Sequence, residues 1–154
     1  PVIDTSGGIH VETDIYDFHD YEQDVEIFTE NYAKMTEGYV GDAVCKYLKK
    51  EHIAKYDGVS PAFVSEYGGA KLSDEKDSWG YGTDDLNEEQ FIQRYKELTE
   101  SLLNNPNMMG FCYTQLYDVE QEKNGLYTYN RIPKLDMQKI KAVNTRKSKI
   151  EEQV

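Results

Sequence analysis

Ala62-Phe63-Val64-Ser65-Glu66-Tyr67-Gly68-Gly69 is the stretch on which the fold turns. A short apolar run breaks at Ser65, a carboxylate follows, and two glycines then let the backbone turn sharply. Polar groups placed directly after a buried strand are the ligand-facing pattern of α/β folds, in closed barrels and in open sheets alike. Working outward, residues 1–5, 14–18 and 108–116 read as further short buried strands beside 62–65. None is joined to the next by a tight Asn-Gly or Asp-Gly hairpin turn, which disfavours a meander.

Helical periodicity fills most of the gaps. Val25, Phe28, Tyr32 and Met35 fall on one face of an expected helix over 21–35, ended by Gly38 and Gly41. A weaker pattern covers 42–56, closed by Gly58 and Pro61. The clearest helix spans 88–103, with Phe91, Tyr95, Leu98 and Leu102 as its apolar stripe and Asn87 and Gln90 as an N-capping arrangement. A last short helix over 137–143 follows Asp136 as cap. Strands alternating with helices predict parallel βα units. Four strands with polar groups at their C-terminal ends, Glu66 and Gln115 to Asp118 among them, predict half of an eight-stranded (β/α)8 barrel. The expected organisation is one unit over 1–144, with a polar tail over 145–154 that is frayed or disordered. Because Pro1-Val2-Ile3-Asp4 already reads as strand, the chain is expected to be a piece of a longer one.

A net charge of -12 lacks the clustered Lys and Arg that phosphate binding needs, so nucleic acid and anionic membrane surfaces are excluded as expected partners. Thirteen of the nineteen aromatic residues are tyrosines, side chains with a flat face and a polar tip that suit sugar sites and core edges equally. Cys45 and Cys112 read as two unpaired thiols, which favours a cytoplasmic setting while leaving the compartment open. No spacing suggests a metal centre or a cofactor. A divalent-metal set of Asp14, Asp17, His19 and Asp20 is weighed and set aside, because residues that alternate across a strand do not all converge.

Phe63-Val64-Ser65-Glu66-Tyr67-Gly68-Gly69 resembles the nucleophile strand of family-2 glycoside hydrolases. Residues 110–126, Gly110-Phe111-Cys112-Tyr113-Thr114-Gln115-Leu116-Tyr117-Asp118 and onward, resemble the eighth-strand region of the β-galactosidase-like members, and Asp14 to Asp24 the sixth-strand segment. The resemblance covers roughly residues 2 to 143 and implies the C-terminal half, strands 5–8, of a TIM barrel. It also implies a retaining, double-displacement hydrolysis of β-linked sugars with Glu66 as nucleophile. The family's acid/base glutamate follows an Asn at a strand end. Here Asn31 follows Glu30 and Asn87-Glu88 opens a helix, so that residue is expected upstream of Pro1.

By the same resemblance, Tyr16 and His19 sit where the family places groups that contact the sugar or hydrogen-bond the nucleophile. Tyr113 stands where the family often has a Trp floor beneath the sugar. Gln115 and Asp118 are expected hydroxyl ligands, since amides and carboxylates supply paired donors and acceptors. Trp79, in the long loop after Glu66, either lines a subsite or pins the loop. Glu120 and Glu122 are expected in a solvated loop, and His10 and His52 without a site role. The competing reading is a non-catalytic carbohydrate-binding or interaction module derived from a glycosidase barrel. An isolated half-barrel is further expected to self-associate through its exposed edges.

Overall fold

The computed structural model describes residues 1–7, 9–41, 56–72, 76–82 and 86–153. Three parallel strands, β1 (Tyr16–Asp20), β2 (Ala62–Gly68) and β3 (Met108–Thr114), pair in the order β1-β2-β3. Among the described residues three α-helices accompany them: α1 (Val25–Glu30), α2 (Glu88–Leu103) and α3 (Met137–Asn144). The expectation of half a (β/α)8 barrel is therefore corrected. The described residues form a small three-stranded parallel sheet with helices, an α/β arrangement with three strands where four were expected.

The missing strand is residues 1–5, and its absence has a local cause. The Asp4 carboxylate accepts the backbone amides of Val11 and Glu12 at 2.6 and 2.9 Å and meets His10 Nδ1 at 2.7 Å. A side chain that captures nearby backbone donors competes with a sheet ladder and here folds the segment into a loop. The Val11 amide, then His10, hold the Asp4 carboxyl well below the usual carboxylate range. Val2 and Ile3 are left exposed at the rim of that loop.

Polar side chains also shorten the first helix. Asp24 caps α1 by accepting from the amides of Glu26 and Ile27, while Asp20 and Glu22 take the amides of residues 22–24. Those amides are thereby spent outside the helix. The chain leaves α1 at Asn31, and a 3-10 turn over Met35–Glu37 ends at Gly38, whose φ is 73°. The apolar face nevertheless survives, with Phe28, Tyr32 and Met35 all buried. Helix α2 follows expectation to the residue. Its capping box is complete, Asn87 Oδ1 accepting the Gln90 amide and Gln90 Oε1 accepting the Asn87 amide. The helix expected over 42–56 and Cys45 and His52 with it lie outside the described residues, apart from Tyr56, which packs in the core.

One face of the sheet, formed by Phe18, Ala62, Val64, Tyr67 and Met108, packs on Phe28 of α1 and on Leu98 and Leu102 of α2. Each such side chain taken from water contributes about 1.5–3 kcal/mol. A second cluster joins Phe91, Ile92 and Tyr95 of α2 to Ile140 and Val143 of α3 and to Leu126 and Leu135. The tail beyond α3 forms a 3-10 turn over Lys149–Gln153, and Arg146 pairs with Glu100 at 2.6 Å.

The pairing register breaks at two places: Ala62 faces Met108 while Phe63 faces Gly110, and a second break lies after Val64. Against β1, Val64 faces Phe18 and Glu66 faces His19; against β3, Val64 faces Phe111 and Tyr67 faces Tyr113. Ser65 and Glu66 thus sit in a bulge of β2, where two residues oppose one. In a regular strand core positions recur every second residue; here Val64 and Tyr67, three apart, are both fully buried. The extra residue turns Ser65 and Glu66 together off the core.

Candidate active site

Glu66 lies within β2 near its C-terminal end, not after it, and its side chain is about one-third exposed at 38%. Its oxygen Oε2 accepts the Tyr21 hydroxyl at 2.5 Å and meets His19 Nδ1 at 3.1 Å. Among the described residues nothing donates to Oε1. A carboxylate held by one oxygen has a fixed plane and keeps the second oxygen available. Burial first, then the hydrogen bond to Glu66, push the Tyr21 hydroxyl far above its ordinary value, so it remains a neutral donor.

His19 is placed by β1, one rung beside Glu66. Its Nε2 meets Ser6 Oγ at 3.0 Å. Gly7, at φ 75°, lies so near the imidazole that an added Cβ would sit 2.3 Å from its Cδ2. Beneath this pair, Asp17 Oδ2 accepts the Gly7 amide at 2.8 Å and the Ser65 hydroxyl at 2.6 Å. His10, expected without a site role, is almost wholly buried and bridges the carboxylate of Asp4 and the carbonyl of Asp17, the latter at 2.9 Å.

On the opposite side of Glu66 the backbone turns through Gly68 and Gly69, at φ 82° and 69°. The Tyr113 ring lies against Gly68, edge-on to Tyr67 and Tyr95. Burial raises its hydroxyl pKa far above the ordinary value. The loop after β2 folds back, the Tyr81 amide donating to the Gly69 carbonyl at 2.8 Å, and the Tyr81 ring stacks on Tyr21 at 3.5 Å and 10°. Trp79 meets the edge of Tyr81 at 5.9 Å, and its backbone pairs with Gln121 and Lys123. It therefore both pins the loop and extends an aromatic row that begins at Tyr21.

The remaining expected site residues divide. Gln115 follows a cis Thr114–Gln115 peptide and donates to buried Asn124 at 2.8 Å. Asn124 in turn lies beside Gly69, which links Gln115 to the Glu66 neighbourhood. Asp118 is buried, its Oδ1 accepting Lys134 Nζ at 2.9 Å and the Gly125 amide at 3.0 Å. Tyr16 opens β1 opposite Ala62, at the far end of the sheet from Glu66, and packs between His10 and Tyr56. Asp14, Asp17, His19 and Asp20 each go to different partners: the Val2 amide, the Gly7–Ser65 pair, Glu66, and the Asn31–Tyr32 pair.

No family model and no curated protein matches the sequence. Among solved structures the chain is similar to a Faecalibacterium prausnitzii β-glucuronidase, with a TM-score of 0.51 and 19% identity over 88% of this chain and 22% of that one. The likeness is one of fold. The chain thus spans under a quarter of the length of that protein.

Tyr21, Tyr81, Ser6 and Asn124 are the site-forming residues that the sequence reading missed. Tyr21 and Asn124 stand inside the resembling segments, two residues after His19 and nine after Gln115, but only as unassigned positions. Tyr81 and Ser6 reach the site through loops that fold back on the sheet, for which the sequence carries no periodic signal.

Proposed function

We propose that this chain is the nucleophile-bearing segment of a retaining β-glycoside hydrolase, with Glu66 as the nucleophile. The observation that carries the reading is the asymmetric hold on its carboxylate: among the described residues two groups donate to Oε2 and none to Oε1. In the first step Oε1 attacks the anomeric carbon as the glycosidic C–O bond breaks. The leaving oxygen takes the bond's electron pair and a proton from a second carboxylic acid, proposed to come from elsewhere in a longer chain. In the second step that carboxylate removes a proton from water, whose oxygen displaces Glu66 and frees the sugar. Once Oε1 is esterified, Oε2 becomes the ester carbonyl, and Tyr21 and His19 donate to it as it regains charge. The likeness to a β-glucuronidase fold is in keeping with a β-linked sugar as substrate class. Tyr113, Gln115 and the Trp79–Tyr81–Tyr21 row are the proposed sugar-facing groups. Tyr16 and Asp118 are left out, because their side chains are engaged away from Glu66.

A 2-deoxy-2-fluoro β-glycoside with a dinitrophenolate leaving group tests this. That leaving group needs no proton, so the trapped ester reads Glu66 without relying on the acid/base partner. The expected result is a mass increase of one fluoroglycosyl group, mapped to the peptide containing residues 62–70 and absent in Glu66→Gln. A label on a different residue, or undiminished labelling of Glu66→Gln, would overturn the proposal.

A further inference from the structure

Ser6 and Gly7 form a turn that meets β1 at two residues of one strand face, Asp17 and His19. Its anchor is elaborate for a loop at the rim. Asp4, His10 and Asp17 run in a line, with His10 Nδ1 2.7 Å from Asp4 and Nε2 2.9 Å from the Asp17 carbonyl. Asp17 Oδ1 is buried, 3.3 Å from His10 Nε2, and takes no hydrogen bond of its own. What this assembly presents to the site is one hydroxyl, Ser6 Oγ, at His19 Nε2.

The chemistry of the contact sets a proton. A carboxylate only accepts, so the His19 nitrogen facing Glu66, Nδ1, must carry the hydrogen. In the neutral ring Nε2 is then an acceptor, and among the described residues Ser6 is its donor. Gly7 lies against the ring, where an added Cβ would collide with Cδ2, Cγ and Nδ1.

We infer that Ser6 is a positioning residue for Glu66, acting through His19: its hydroxyl donates to Nε2 of the Nδ1–H ring that Glu66 selects, and holds the imidazole in the plane that serves the nucleophile. The loop over 4–12 is the mount that delivers it. This rests on the reading of Glu66 as a nucleophile only for its kinetic consequence; the hydrogen bond it assigns to His19 Nε2 stands independently.

The test uses Ser6→Ala, with Ser6→Thr as the variant that keeps the hydroxyl and Gly7→Ala as a second route to displacing the ring. Two readouts apply to the full chain. The first is the 15N shifts of the His19 imidazole above its titration range. All should show a protonated Nδ1; the unprotonated Nε2 should carry the shift of a hydrogen-bonded acceptor in the parent and Ser6→Thr, and move toward that of a free imidazole nitrogen in Ser6→Ala and Gly7→Ala. The second is inactivation by the fluoroglycoside. Its maximal rate should fall on the order of tenfold to a hundredfold in Ser6→Ala, with its half-saturating concentration little changed and the rate recovered in Ser6→Thr. An unchanged His19 Nε2 shift in Ser6→Ala overturns the inference, whether or not Glu66 is ever labelled. So does a Glu66 that is labelled at the same rate in Ser6→Ala as in the parent. Absence of labelling in the parent counts against the nucleophile alone and leaves the imidazole spectrum to decide the role of Ser6.

Discussion

Replacing Gly68 by alanine perturbs the backbone and the packing of the site at once, and the two parts can be separated. At φ 82° an L-residue with a Cβ costs about 1–2 kcal/mol from the backbone alone. The added methyl would stand 2.2 Å from Tyr113 Cε2, where ordinary contact begins at 3.4 Å, so the ring must retreat by more than an ångström. It has little room to do so, being held edge-on by Tyr67 at 5.4 Å and by Tyr95 at 4.8 Å. Overpacking of this kind adds about 1–3 kcal/mol. The total expected loss is about 2–5 kcal/mol, read from urea unfolding followed by far-ultraviolet circular dichroism. In a Tyr113→Ala background the steric part disappears and only the conformational cost should remain, about 1–2 kcal/mol, so the two substitutions couple. A Gly68→Ala variant within about 0.5 kcal/mol of the parent would refute the reasoning, as would the same loss in both backgrounds.

Three further outcomes are expected. Asn87→Ala removes half of the α2 capping box and should lower stability by about 1 kcal/mol, seen as a fall in Tm; an unchanged Tm would show that water caps the helix equally well. Lys134→Met strips the buried Asp118 carboxylate of its cation and should cost about 3–5 kcal/mol, most of it regained in the Lys134→Met, Asp118→Asn double variant; failure to regain it would place the loss in packing. Burial raises the Asp20 carboxyl above its ordinary 3.8, so from that pH upward the folded chain binds more protons than the unfolded one and stability from this group falls as pH rises. In Asp20→Asn that downward slope should vanish, and parallel unfolding-free-energy profiles for the two proteins would argue against it.

Legibility in the sequence followed the range of the interactions. Helix α2 was readable because its stripe and its Asn87–Gln90 cap are local, and Asp136 before α3 is the same kind of signal. Glu66 stood out because an apolar strand leads into it and glycines follow. The barrel expectation failed on residues 1–5, where an apolar pattern was read as strand and the Asp4 carboxylate, reaching seven residues ahead, took the structure elsewhere. The bulge at Ser65–Glu66 left no mark in the strand's composition, although it aims the nucleophile candidate. Tyr21 was within reach of a local argument, while the stacking of Tyr81 upon it depends on a loop closing over sixty residues of separation.

Trp79 is the single tryptophan of the chain, with 48% of its surface exposed and its indole edge-on to Tyr81. That arrangement is a native optical gauge. Light absorbed by Tyr81 passes to the indole at this separation, and the indole's emission colour follows its hydration. Detachment of the 76–82 segment from the sheet would therefore dim the transferred component and redden the rest, and a ligand seated against the tyrosine stack would do the reverse, with no dye attached to the protein.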